Sequence, residues 1–274
     1  MNSEVQLAER LKALAARVGE LERLETPGRA VRGMAAAVPL LRMMPGVVGI
    51  WTGSTPGPAG QLVDATGNGL NLTRQNGLFG VDSGTLIPRL SFDLSVPRYW
   101  NRAYEAITSI TGTEAHIIPK GLTLLAWLHI TAVGAGTQTG IAKWNPTGDQ
   151  RSYALFFNNS GNTLGQISST GAAGGIKSVT GAAYVVGSWA LYVYRFIPST
   201  EVSIWVNGTK TTDSSSVPAS IFDSTADFTI GASHGGGNAL SGKGGVVALS
   251  VEAVPDNIID NYFQATAPPF GVSV

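Results

Sequence analysis

Acid–base chemistry needs carboxylates or imidazoles held in pairs, and this chain spaces its few such groups apart. Cleaving a glycosidic bond takes two carboxylates facing each other across a cleft. Glu105 and Glu114 lie nine positions apart, and Asp223 and Asp227 flank a turn. Neither spacing sets two side chains on one face of one strand, where residues two apart share a face. No Glu-x-Asp-x-x-Glu run occurs. His116, His129 and His234 are scattered, and there is neither a His-x-Glu-x-x-His pair nor any cysteine, so a zinc site is not expected. His129 shares a strand face with Trp127 and reads as structural. A Ser-His-Asp site assembles in space rather than along the chain, so spacing alone does not decide it. No catalytic residue is assigned, and the chain reads as a non-enzyme.

Oxygen ligands are the more open question. Asp64, Asn68 and Asn71 offer side-chain oxygens within one turn and are the candidate calcium ligands. The same side chains build an Asx-type turn that bonds to its own backbone. The turn is the preferred reading, since one carboxylate is few for a tight site. No other cofactor is expected.

The elements that would carry these groups are mostly strands. Leu122 to Ile130, Ser152 to Phe157, Trp189 to Phe196, Val202 to Val206 and Phe228 to Ile230 are each bounded by Gly, Asn, Ser or Pro. No helical period separates them, which is the rhythm of an all-β sandwich. Val202, Ile204 and Val206 alternate with Ser203 and Trp205, and Asn207-Gly208 then turns the chain into Thr209. Val246 to Val251 adds a late strand, and Asp256 to Ala265 a short helix in which Ile258 and Ile259 meet Tyr262 and Phe263.

Composition agrees with strands. Among 274 residues there are 35 glycines and only 13% charged side chains, a turn-rich profile, while 43% hydrophobic residues suffice for a large core. The formal net charge is zero, so nothing favours nucleic acid or an anionic membrane as partner. Absent cysteine favours folding in a reducing compartment, and the N-terminus shows no signal-peptide pattern. The apolar stretch from Ala30 to Ile50 is broken by Arg32, Pro39, Arg42 and Pro45, too often for a membrane span.

The N-terminus differs in kind. Residues 1–26 read as one helix with Leu7, Leu14 and Leu21 at heptad position d, and Leu11 and Val18 at a. Arg17 and Glu22 fall at g and the following e, the spacing of an interchain pair. A coiled coil is preferred over a helix packed on its own domain. Residues 27–46 form an apolar, Pro- and Gly-punctuated arm expected to pack against its own subunit or a neighbour. The sandwich domain is expected at 47–274.

From residue 47 the landmarks fall in a familiar order. Val48-Gly-Ile-Trp51 is followed by the turn Asp64-Ala-Thr-Gly-Asn-Gly, then Leu90-Ser-Phe-Asp93 and Ile117-Ile118. Gly121-Leu-Thr-Leu-Leu-Ala-Trp127, Ile141-Ala-Lys143, Gly187-Ser-Trp189, Ile204-Trp-Val-Asn-Gly208 and Phe228-Thr-Ile-Gly231 come next. Together these resemble the laminin-G-like, concanavalin A-like jelly-roll family. The resemblance implies a mainly β jelly-roll sandwich carrying an N-terminal helical arm and a closing C-terminal helix near Asn257 to Phe263. Two departures stand out: Ala248 lies in the region where the family often has Asp, and an insertion runs from Arg98 to Gly112. Cysteine-free variants behind a short N-terminal helix resemble those encoded among bacteriophage virion genes.

Sugar binding needs aromatic faces beside amide or carboxylate groups. The candidate glycan contacts are Tyr99, Trp100 and Asn101 in the insertion, Trp144, Asn145 and Asp149 after Lys143, and His234 and Asn238 in the Gly-rich tract. Trp51, Trp127 and Trp189 read as core. The expected function is a bacteriophage structural protein of the tail, fibre or head decoration, found in the virion after synthesis in the host cytoplasm. Its coil would form a homotrimer or dock on other virion proteins, and its sandwich would meet host-surface glycan. The alternative is a cellular, non-catalytic lectin module.

Overall fold

The alternating run Val202–Val206 buries Val202, Ile204 and Val206 on one face and Trp205 on the other. At its end Asn207 and Gly208 take φ of 47° and 81°, the paired positive values of a tight hairpin turn. This hairpin is one edge of a sandwich of two antiparallel sheets. The computed structural model describes residues 13, 37–56, 61–75, 92–93, 99–102 and 121–274. The coil positions Leu7, Leu11, Leu14, Val18 and Leu21 lie outside the described residues, as do Glu105, Glu114, His116 and the Ile117-Ile118 landmark.

Among the described residues, one sheet has eight strands. Its order is β13 (Thr209–Asp213), β12 (Glu201–Val206), β11 (Trp189–Ile197), β6 (Leu122–Ile130), β15 (Gly242–Ser250), β1 (Val47–Pro56) and β2 (Leu62–Asp64). The short β4 (Phe92–Asp93) also pairs with β15. The facing sheet has seven strands: β10 (Ile176–Ala183), β9 (Asn162–Ser168), β8 (Gln150–Phe157), β7 (Gln138–Asn145), β14 (Phe228–Ile230), β5 (Tyr99–Arg102) and β3 (Thr73–Gln75).

Strand β6 reads as a mostly apolar run because both its faces are covered. Leu122, Leu124, Ala126, Leu128 and Ile130 point between the sheets, and Leu125 and Trp127 point outward. Trp127 stacks on Phe270 with centroids 4.1 Å apart and donates its indole N–H to Thr266 Oγ1 at 3.1 Å. The C-terminal helix Asp256–Thr266 thereby closes the outer face of the eight-stranded sheet.

The same outer face also seats part of the arm. Residues 37–42 are helical, and Ala37, Leu40, Leu41 and Met44 are buried with Trp127, Trp205 and the C-terminal helix. Ser250 Oγ and the Val251 N–H then bond to the carbonyls of Pro45 and Gly46. Residues 37–46 therefore pack as part of the sandwich domain, which extends upstream of Val47.

Strands β9 and β10 are absent from the strand runs read from sequence, being rich in Gly, Ser and Thr. Gly165 explains the disguise: the ring of Tyr194 lies where its Cβ would be, so only glycine lets the two sheets approach there. Among the described residues, no helix is long and apolar enough to cross a membrane.

Candidate ligand-binding site on the seven-stranded sheet

Strand parity decides which side chains β5, β14 and β7 present. Trp100, Ile230 and Ile141 pair across the sheet and join the core between the sheets. The next row, Asn101, Thr229 and Ala142, consequently faces outward. Asp227 stands two residues before Thr229 and shares its face. The Gly-rich loop after β14 folds back over this row: Thr229 Oγ1 donates to the Ala232 carbonyl at 2.5 Å and to that of Ala142 at 3.2 Å.

That fold-back brings polar groups together. The Asn101 Nδ2–H donates to Asp227 Oδ2 at 3.1 Å, and Gln75 Nε2–H donates to Asn101 Oδ1 at 2.9 Å. His234 Nδ1 accepts the backbone N–H of Asp227 at 3.2 Å and lies 3.5 Å from Asp227 Oδ2. With Nδ1 turned to the Asp227 backbone, Nε2 is the ring nitrogen left to donate to a ligand. Asp227 and His234 keep 24% and 35% of their side-chain surface open. Beside them, burial first and the Asp227 charge second push the Tyr99 hydroxyl above its ordinary pKa. An acceptor carboxylate and an imidazole donor side by side match adjacent sugar hydroxyls, each of which both donates and accepts.

Several residues read from sequence take other places. Trp100 is 1% exposed and Trp144 5%, so neither ring face meets solvent. Trp100 is turned inward by strand parity, and Trp144 packs edge-on against Phe156 at 5.5 Å. Tyr99 is buried beneath the loop, where a Cβ on Gly236 would approach its ring to 3.0 Å. Asn145 Oδ1 accepts the Thr147 N–H, and Asp149 pairs with Arg151 at 2.9 Å, so both serve their own turn. Of the proposed glycan contacts the structure groups Asn101 and His234, and it sets Asn238 on the far flank of the same loop.

The calcium candidates are likewise committed. The Asp64 carboxylate accepts the N–H groups of Ile50, Thr66 and Leu70 and the Thr66 hydroxyl. Asn71 Oδ1 accepts the Asp64 N–H, and Asn68 Nδ2–H donates to the Val48 carbonyl. These bonds are those of the Asx-type turn, the preferred reading of these residues. Among the described residues, no group of three His, Cys, Asp or Glu side chains gathers elsewhere.

Two features of the sequence bear on this site. Asp227 and Thr229 alternate with Phe228 and Ile230, which marks Asp227 as outward-facing. Gly231-Ala-Ser233-His-Gly235 also has the Gly-x-Ser-x-Gly spacing of a hydrolase elbow. The surroundings of an elbow are missing: β14 leads directly into a short 3-10 turn rather than an α-helix, Ser233 is buried, and its hydroxyl donates to the Gly237 carbonyl rather than to a histidine.

Deeper at the same end, Lys143 is buried, with its ammonium bonded to the Ser224 carbonyl and 3.5 Å from Asp223. Burial lowers its pKa to about 8, against the opposing pull of Asp223 and Asp227.

The family described as the concanavalin A-like lectin/glucanases superfamily matches residues 101–250, more than half of the chain. The chain belongs to that superfamily. Its fold is also that of solved botulinum neurotoxin binding domains. The serotype D binding domain aligns with a TM-score of 0.58 at 12% identity, over 86% of this chain and 53% of its own length. The serotype D ligand-binding domain in complex with N-acetylneuraminic acid gives 0.56, 12%, 86% and 53%. The serotype DC binding domain in complex with rat synaptotagmin II gives 0.56, 10%, 81% and 52%. The chain thus spans about half the length of these structures, and the likeness is one of fold. No curated protein matches it.

Proposed function

We propose that this superfamily member is a non-catalytic recognition domain for host-surface glycan, displayed on a bacteriophage particle as a tail, fibre or head-decoration component. The observation that carries the binding reading is the half-open constellation of Asn101, Asp227 and His234 on one sheet face. The similar folds that hold N-acetylneuraminic acid or synaptotagmin II support it as a receptor-binding architecture. A non-catalytic role is supported by Asp223 and Asp227, which are engaged by Lys143 on one side and by Asn101 and His234 on the other. The virion setting rests on the sequence resemblance. The heptad Leu7, Leu11, Leu14, Val18 and Leu21 supports trimer formation by the N-terminal segment.

A glycan array probed with the full chain tests the binding reading. The wild type is expected to retain a defined subset of glycans. Asp227→Ala is expected to lose at least tenfold in affinity with an unchanged circular dichroism spectrum, since a charge-assisted contact of about 1.5–3 kcal/mol disappears. An array on which wild type and variant behave alike would remove this face as the site.

A further inference from the structure

We propose that the cleft on the far flank of the Gly-rich loop is a subsite for one uncharged sugar ring bearing an acetamido group. It rests on the glycan-binding reading above and names a second contact region for it. The cleft lies between the loop joining β6 to β7 and the segment leading into β15, with a volume of about 330 Å³. That is the low end of small-ligand sites, roughly 300–1,000 Å³.

The cleft is held open by its own walls. The Thr131 N–H and hydroxyl both donate to the Ser241 carbonyl at 2.9 Å, and the Thr139 N–H donates to the Asn238 carbonyl at 2.8 Å. Buried Gln138 spans between the walls, donating to the Ala132 carbonyl at 3.0 Å and accepting the Ser241 N–H at 3.1 Å. A ligand therefore meets a preformed shape, with little ordering left to lower its affinity.

The lining selects the chemistry. Among the described residues no charged side chain lines the cleft, which disfavours an anionic sugar. The Ala135 and Ala239 methyls offer an apolar seat for an acetamido methyl. Asn238 is exposed, and its φ of 51° holds it in a left-handed turn at the cleft edge. Its carboxamide presents a donor and an acceptor together, as an acetamido group requires. Beside Gly134 and Gln138, which line the cleft, sits the buried Tyr184 hydroxyl, whose contacts to these two residues fall short of full hydrogen-bond geometry. Such a group is costly when left unmet, and a ligand or its bridging water supplies the partner.

The test is a nuclear magnetic resonance titration of the isotope-labelled full chain with N-acetylglucosamine, glucose and N-acetylneuraminic acid. Shift changes at Ala135, Asn238 and Ala239 are expected with N-acetylglucosamine, about tenfold weaker with the other two sugars. Asn238→Gly keeps the left-handed backbone and removes the carboxamide, so affinity should fall about tenfold. Gly136→Leu should weaken binding about tenfold or more, because Gly136 lines the cleft and, its chain neighbours aside, no atom lies within 4 Å of a Cβ placed there to keep the side chain out of it. Shift changes confined to Asn101, Asp227 and His234 would overturn the subsite while leaving the glycan-binding reading intact. A wild-type chain that binds no sugar here or on the array would overturn both. Binding unaffected by either variant would move the sugar elsewhere and overturn the subsite.

Discussion

Asp64 shows how one side chain settles a local structure. Its carboxylate collects N–H groups from β1, from its own turn and from Leu70, joining the start of the sandwich to the loop after β2. Asp64→Ala should cost about 3 kcal/mol in urea unfolding, because two buried backbone donors, those of Ile50 and Leu70, lose their acceptor. Calcium or a chelator should leave the melting temperature of the wild type unchanged, since the carboxylate is already satisfied. Lys143 makes a pH-dependent contribution of the opposite kind. Its folded pKa, about 8, lies below its ordinary 10.5, so between these values the unfolded chain binds more protons and stability rises with pH. The gain is on the order of 3 kcal/mol when the lysine is neutral in both states. Buried Tyr153, Tyr192, Tyr194 and Tyr262 work against this above pH 10, because burial raises each above its ordinary value of 10.0. Stability should therefore climb from about pH 8, crest near pH 10 and then fall. Urea midpoints across that range check the crest, and Lys143→Met should flatten the climb.

At the scale of elements, the C-terminal helix is pinned as well as packed. Arg195, 4% exposed on β11, donates to the Val254 carbonyl at 2.8 Å and meets Glu201 and Asp256 at 2.5 Å each. Its guanidinium also lies 4.9 Å from the Trp205 ring, and Lys210 reaches both carboxylates at 3.2 and 2.8 Å. Burial alone would raise Glu201, yet hydrogen bonds from Ser203, Arg195 and Lys210 carry it below the usual carboxylate range. Asp256 behaves alike, with Lys210 and Arg195 outweighing its burial, and its place in the helix's first turn complements the macrodipole. Arg195→Ala leaves two partly buried carboxylates with only Lys210, so a loss of about 3 kcal/mol is expected in denaturant unfolding. A smaller loss would show that apolar packing alone holds the helix.

At the scale of the molecule, residues 37–46 carry the consequence for dissecting the chain. Starting at Val47 strips Ala37, Leu40, Leu41 and Met44 from the outer face of the eight-stranded sheet. Such a variant should melt several degrees lower whatever its oligomeric state, since each buried aliphatic side chain contributes about 1.5–3 kcal/mol. A chain starting at Met34 keeps that cover and isolates the heptad. Light scattering should find the full chain a trimer and the Met34 variant a monomer. A monomeric full chain would instead turn the N-terminal helix into an element of its own domain.

The sequence by itself determined the class of the molecule. Alternation of Val202, Ile204 and Val206, the Asn207-Gly208 turn and the double-faced run of β6 are local patterns, since a strand's period and a turn's φ depend on a few neighbouring residues. The same locality made the C-terminal helix legible. Only the tertiary structure decided which face each strand turns to solvent near the site. Asn101, Asp227 and His234 are separated by as many as 133 positions and meet because β5 pairs with β14 and the Gly-rich loop folds back. It likewise took three aromatic rings out of solvent, Trp100 between the sheets, Tyr99 beneath the loop and Trp144 against Phe156, where their large apolar area gains from burial. Strand β9 stayed hidden for the converse reason: Gly165 answers to the ring of Tyr194, a neighbour in space that no local pattern reveals.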